Sequence, residues 1–149
     1  MRVRLALEED EAVITDMVRA NMAATRPTLV FDSVRCAETF RGYMNDAAPT
    51  IFVAEEDDGN LAGVLVCDFF EHRAACGHFA AQELLYVRPD KRGTRAAALL
   101  TKELVTWAGV IGANEIVGGN DNEFNSDRVA RFLEHFGFKR VGWTMRREI

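Results

Sequence analysis

The stretch Leu84-Leu85-Tyr86-Val87-Arg88-Pro89-Asp90-Lys91-Arg92-Gly93-Thr94-Arg95-Ala96-Ala97-Ala98-Leu99-Leu100 decides the reading of this chain. An apolar run stops at a proline, crosses a short basic loop holding one glycine, and resumes as an alanine- and leucine-rich segment of helical character. A strand, a turn and a helix start in that order gather unpaired main-chain N–H groups at the positive end of the helix dipole. Lys91, Arg92 and Arg95 add positive charge there, in a chain whose net charge is −5. The stretch is therefore read as a seat for phosphate.

Working outward, residues 2–6 alternate charged and apolar side chains and predict a short strand. Val13, Ile14, Met17 and Val18 recur at helical spacing and predict a helix over 8–21. Pro27 marks 23–30 as a loop, and Asp32 or Ser33 is placed to cap a helix carrying Val34, Ala37, Phe40 and Met44. The runs 51–54 and 61–67 flank an acidic Asp-Gly-Asn turn and predict a hairpin with a solvated tip at 55–58. A strand is expected over 78–88, and a helix near 93–111 with Leu100, Leu104, Trp107, Ala108 and Ile111 on one face. A short strand over 115–118 and a polar loop over 119–123 come next. The last helix starts at Asn125 or Ser126 and ends at Gly137, a C′ glycine. Residues 138–147 are expected to form a final strand, and Trp107 and Trp143 to lie in the core. The order β-α-α-β-β-β-α-β-α-β predicts a mixed α/β sheet, antiparallel in its hairpin and parallel around the long helix.

The 149 residues fit one domain, 1–149, with a core that needs neither disulfide nor metal. The negative charge disfavours nucleic acid and makes cationic small molecules or peptides the easier partners. Three cysteines without a CxxC pair or a histidine cluster give no disulfide framework and no metal site. No apolar run reaches the ~18 residues of a membrane span, and the N-terminus does not read as a signal peptide. A cytoplasmic, soluble protein is expected.

The residues resemble the GNAT superfamily of N-acetyltransferases over nearly the whole chain. In that family a strand ending Val-x-Pro leads into an Arg/Gln-x-x-Gly-x-Gly/Ala turn. Val87-Arg88-Pro89 and Arg92-Gly93-Thr94-Arg95-Ala96-Ala97 match it, with Arg95 at the middle glycine. A second block, Asn125-Ser126-Asp127-Arg128-Val129-Ala130 through Gly137-Phe138, matches the family's asparagine, helix and Gly-Phe pair. The resemblance implies acetyl-CoA as co-substrate, its pyrophosphate held by the amides of Arg92, Gly93, Thr94, Arg95, Ala96 and Ala97. It implies a pantetheine arm along Leu85, Tyr86, Val87 and Arg88, in a gap where the sheet splays, with Asn125 approaching the arm as well as capping its helix. An amine acceptor is implied too, and homodimers are common in the family. The family's acid, a tyrosine in the last helix, is replaced by Leu133.

Strand alternation places Phe79, Ala81, Glu83, Leu85 and Val87 on one face. A carboxylate in that apolar row is costly unless paired or used. Partial burial would suit Glu83 to a general base that takes a proton from a substrate ammonium, and an ion pair with an arginine is the structural alternative. His78 is a candidate relay or a structural residue. Tyr86 is a candidate acid, although alternation turns it away from Glu83 and favours packing. Two functions follow: direct acetyl transfer to a primary amine, or a CoA-binding module without turnover. A nucleotide-binding domain lacks its GxGxxG or Walker pattern here.

Overall fold

The computed structural model describes residues 1–44, 46–120 and 125–147. Its elements are β1 (Arg2–Leu5), a 3₁₀ turn (Glu8–Asp10), α1 (Glu11–Thr25), α2 (Ser33–Met44), β2 (Thr50–Glu55) and β3 (Leu61–Glu71). They continue with β4 (His78–Val87), a 3₁₀ turn (Pro89–Lys91), α3 (Ala96–Val110), β5 (Glu115–Val117) and α4 (Ser126–Glu134). The chain falls into two compact units, Met1–Gly118 and Gly119–Ile149. The first holds the whole sheet with α1, α2 and α3, and the second holds α4.

The strands lie in the order β1-β2-β3-β4-β5. The first three pairings are antiparallel, and β5 runs parallel to β4 because α3 is the crossover between them. On one face Ile14 and Met17 of α1 and Phe40 of α2 pack with Ile51, Val53, Val64 and Tyr86. The alternate strand residues Phe52, Ala54, Leu65 and Cys67 are also buried, so the sheet is covered on both sides. The second cover is α3, which runs along β2, β3 and β4 and buries Leu100, Leu104, Trp107 and Ala108. Trp107 satisfies its indole N–H by donating to the Ala47 carbonyl at 2.9 Å.

Local chemistry sets the helix starts. The Asp32 carboxylate accepts from the amides of Val34 and Arg35, both at 3.0 Å, so Asp32 is the cap of α2. Asp10 accepts from the Leu7 amide and from both Arg4 guanidinium nitrogens, which ties β1 to the start of α1.

Several expectations are corrected. The strand expected to end at Cys67 runs on to Glu71, because residues 68–71 pair with 78–81 across a continuing ladder. Cross-strand stacking of Phe69 on His78 (4.8 Å) and Phe70 on Phe79 (5.2 Å) supports the extension. The helix expected from residue 93 begins at Ala96, after a turn whose glycine is left-handed. The hairpin tip is not simply solvated: Glu55 bonds Arg2 and Arg4, Glu56 pairs with Lys91, and Asp57 pairs with the N-terminal amine. Residues 138–147 form no strand. Their alternation needs a neighbouring strand to bond with, and the second unit has none among the described residues. Trp143, expected in the core, is 90% exposed. Part of the 119–123 loop lies outside the described residues.

Candidate active site

Two features of β4 frame the site. Its pairing with β5 is limited to residues 79–81 against 115–117. Beyond Ala81 that edge, residues 82–87, has no strand partner among the described residues. The edge is therefore open where the resemblance implies a gap. The second feature is a bulge: Val66 pairs with Leu84 and Cys67 with Gln82, so Glu83 is the extra residue on β4. A bulge re-aims side chains and breaks the period of two. The row Phe79, Ala81, Glu83, Leu85 and Val87 is thus not one face, and Ala80, Ala81 and Tyr86 are the buried residues of the strand.

Glu83 is exposed, not part-buried as expected, because the bulge lifts it out of the ladder. Its charge acts on the Tyr43 phenol of α2, along with that of Asp68 on β3. Tyr43 donates to Asp68 Oδ2 at 3.0 Å, while Asp68 Oδ1 accepts from the Phe69 amide at 2.7 Å. Burial first, then Asp68 and Glu83, push the Tyr43 pKa up to about 12. Sequence reasoning missed this pair. The signals were Tyr43 three residues after Phe40 on the inward side of α2, and a carboxylate following the apolar run of β3.

His78 and Tyr86 are not brought to Glu83 as proton carriers. His78 lies five residues back along the strand, about 16 Å away at ~3.3 Å per residue. It stacks on Phe69, and its Nε2 lies 3.6 Å from Glu71 Oε1. Tyr86 is buried in the cluster with Ile14, Met17 and Phe40, so packing is its observed environment.

At the other end of the site, Pro89 opens the 3₁₀ turn and Arg92 leads to Gly93 at φ +87°. That left-handed conformation suits glycine, and nothing lies within 4 Å of where a Cβ would stand. Thr94 folds back, its hydroxyl donating to the Lys91 carbonyl at 2.7 Å and accepting from the Ala96 amide at 3.3 Å. The Arg92 and Thr94 amides make long bonds to Pro89 and Lys91 carbonyls, at 3.4 and 3.3 Å. The amides of Gly93, Arg95, Ala97 and Ala98 have no main-chain acceptor among the described residues. Four such amides at the positive end of a helix dipole have the chemistry of an anion seat.

Arg95 is right-handed (φ −75°), so the position needs no glycine. Its guanidinium donates to the Met1 carbonyl at 3.0 Å, Lys91 pairs with Glu56, and Arg92 Nε donates to the Val87 carbonyl at 3.3 Å. The basic side chains are thus engaged by the protein, and the seat is a main-chain one. Gly63 opposes Val87 on β3, where any Cβ would stand 2.7 Å from the Tyr86 carbonyl. Asn125 lies in the second unit at φ +55°, and no side-chain cap bond is formed there. Its expected capping role is replaced by its carbonyl, which accepts from Val129 N at 3.0 Å. Leu133 is buried. Among the described residues no group of three or more His, Cys, Asp or Glu is arranged for a metal, and no helix is long and apolar enough to cross a membrane.

A five-stranded mixed sheet covered by helices, with an open strand edge leading into a main-chain anion seat, defines the class of protein. The sequence matches the Acetyltransferase (GNAT) family over residues 14–138, and the chain belongs to that family. Solved structures agree in fold. A transcriptional regulator from Bacillus halodurans C-125 superposes with TM-score 0.82 at 18% identity, over 99% of this chain and 98% of that one. A Trypanosoma brucei acetyltransferase gives 0.77 at 17%, over 99% of both chains. Glucosamine-6-phosphate N-acetyltransferase from Arabidopsis thaliana gives 0.77 at 15%, over 99% of this chain and 97% of that one. No curated protein matches the sequence.

Proposed function

We propose that this acetyltransferase moves an acetyl group from acetyl-CoA to a primary amine by direct attack. The observation that carries the reading is the anion seat at residues 93–98, at the end of a strand edge left open from residue 82. The free amides of Gly93, Arg95, Ala97 and Ala98 suit a pyrophosphate. The edge of Leu85, Tyr86 and Val87 suits the amide-bearing pantetheine arm, much as an edge accepts an added strand. Acetyl-CoA supplies the acetyl group as a thioester.

Glu83, directly or through a water, takes one proton from the acceptor ammonium, and the free amine attacks the thioester carbonyl. A C–N bond forms, the C–S bond breaks, the nitrogen sheds a second proton, and the departing thiolate takes one up. A main-chain N–H near Val87 is the group for the developing oxyanion. Cys67 is buried, which pushes its thiol pKa up, and direct transfer needs no thiol nucleophile. The reading places the reaction in the cytoplasm, on a chain that pairs with neither nucleic acid nor membrane.

A second reading, a CoA-binding module without turnover, is favoured by Leu133 at the family's tyrosine position. Free-thiol release across an amine panel separates the two. The seat itself is tested by calorimetric titration with CoA. Wild type binds at micromolar affinity or better, and Gly93→Asp abolishes binding by setting a carboxylate beside the diphosphate. The open space around residue 93 lets the variant fold, with about 1 kcal/mol of backbone strain. Unchanged affinity in that variant removes the seat from the reading.

A further inference from the structure

The Tyr43 phenol has one proton, and it is committed to Asp68 Oδ2 at 3.0 Å. Asp68 is itself fixed by the Phe69 amide at 2.7 Å. A phenol whose hydrogen is held by a carboxylate keeps its oxygen lone pairs for an incoming donor, and donation to an anion enriches them. The oxygen therefore suits a group that can only donate. Glu83, the bulged residue of β4, is close enough for its charge to act on the same phenol. The pair comes from α2 and β3, and Asp68 pairs with Ala81, the β4 residue just before the edge left open from residue 82.

We propose that Tyr43, held by Asp68, is a specificity-determining residue that accepts a hydrogen bond from the ammonium of a cationic acceptor, so that the protein acts on alkylamines in preference to neutral arylamines. This inference rests on the acetyltransferase reading. An alkylammonium offers three N–H donors and no acceptor. One bonds the Tyr43 oxygen, and another is left for the proton transfer to Glu83. An arylamine is uncharged at neutral pH and gains less from the two carboxylates around it. Tyr43 positions the nitrogen and takes no proton itself.

The test is steady-state acetylation of primary alkylamines and of arylamines matched to them in size, by the full chain and by Tyr43→Phe. Wild type has the higher kcat/KM for the alkylamines. Tyr43→Phe raises their KM about tenfold, the scale of a hydrogen bond to a charged group, and leaves kcat within twofold. It moves the KM for arylamines and the affinity for CoA by less than twofold. Asp68→Asn keeps an acceptor for the phenol but loses the charge. It raises the alkylamine KM by a smaller factor, and it serves as the decisive variant if Tyr43→Phe fails to fold.

A wild-type preference for arylamines, an equal KM change for both amine classes, or an unchanged alkylamine KM in the variants overturns the inference and leaves the acetyltransferase reading standing. CoA binding without acetylation of any amine overturns that reading, and the inference with it.

Discussion

Glu83 occupies the one place in β4 where two strand residues face a single register step of β3, between the Val66–Leu84 and Cys67–Gln82 pairs. An ordinary ladder position would have sent its carboxylate into a sheet face or away from the open edge, according to parity alone. The bulge removes that constraint. If Glu83 is the proton acceptor, Glu83→Gln lowers kcat about 10²-fold with CoA affinity unchanged, the scale of lost general-base catalysis. The residual rate of the variant then rises with pH, because solution base must supply the free amine. A rate equal to wild type, measured by thiol release at pH 7, would transfer the role elsewhere. The carboxylate was legible from the sequence as an anomaly in an apolar row. Its exposure was not, since parity counting has no signal for an extra residue in a strand.

The local turn chemistry of the elements was the easiest part to read. Pro89, Gly93 and the alanine run specify where β4 stops and α3 starts, and Asp32 specifies the cap of α2, because each depends on neighbours within a few residues. Long-range pairing was harder. Nothing local extends β3 beyond Cys67, yet residues 68–71 pair with 78–81, and 138–147 alternate like a strand without forming one. The 3₁₀ turn before α1 is a third case. The helical spacing over 8–21 carries no sign that Asp10 is buried, yet it is 6% exposed and bonded to Arg4 and Leu7. Burial works to raise the Asp10 pKa, but the Arg4 hydrogen bond and the Leu7 amide outweigh it and hold the carboxyl below its ordinary value. A lowered folded pKa stabilises the protein fully above the unfolded value, about 3.9. That stabilisation is lost as pH falls through the folded value. Asp10→Asn therefore costs about 3 kcal/mol at pH 7, and urea denaturation between pH 7 and 2.5 shows its deficit shrinking toward the acid end. A deficit independent of pH contradicts an ionic role.

At the scale of the whole molecule, composition narrowed the field and position supplied the chemistry. A net charge of −5 spread over 149 residues says little by itself. The fold sends Glu56 and Asp57 to the basic turn and the N-terminal amine, where they meet Lys91 and Met1. The acidic tip thereby ties up Lys91, while Arg92 and Arg95 donate to main-chain carbonyls, which leaves the amides of the turn as the means of holding an anion. This division of labour is the central claim, and a crystal structure of the chain grown with CoA tests it most directly. The account predicts the diphosphate within hydrogen-bond distance of the amides of Gly93, Ala97 and Ala98, with the pantetheine arm along residues 85–87. A diphosphate gripped by lysine and arginine side chains elsewhere, with those amides facing solvent, would contradict it.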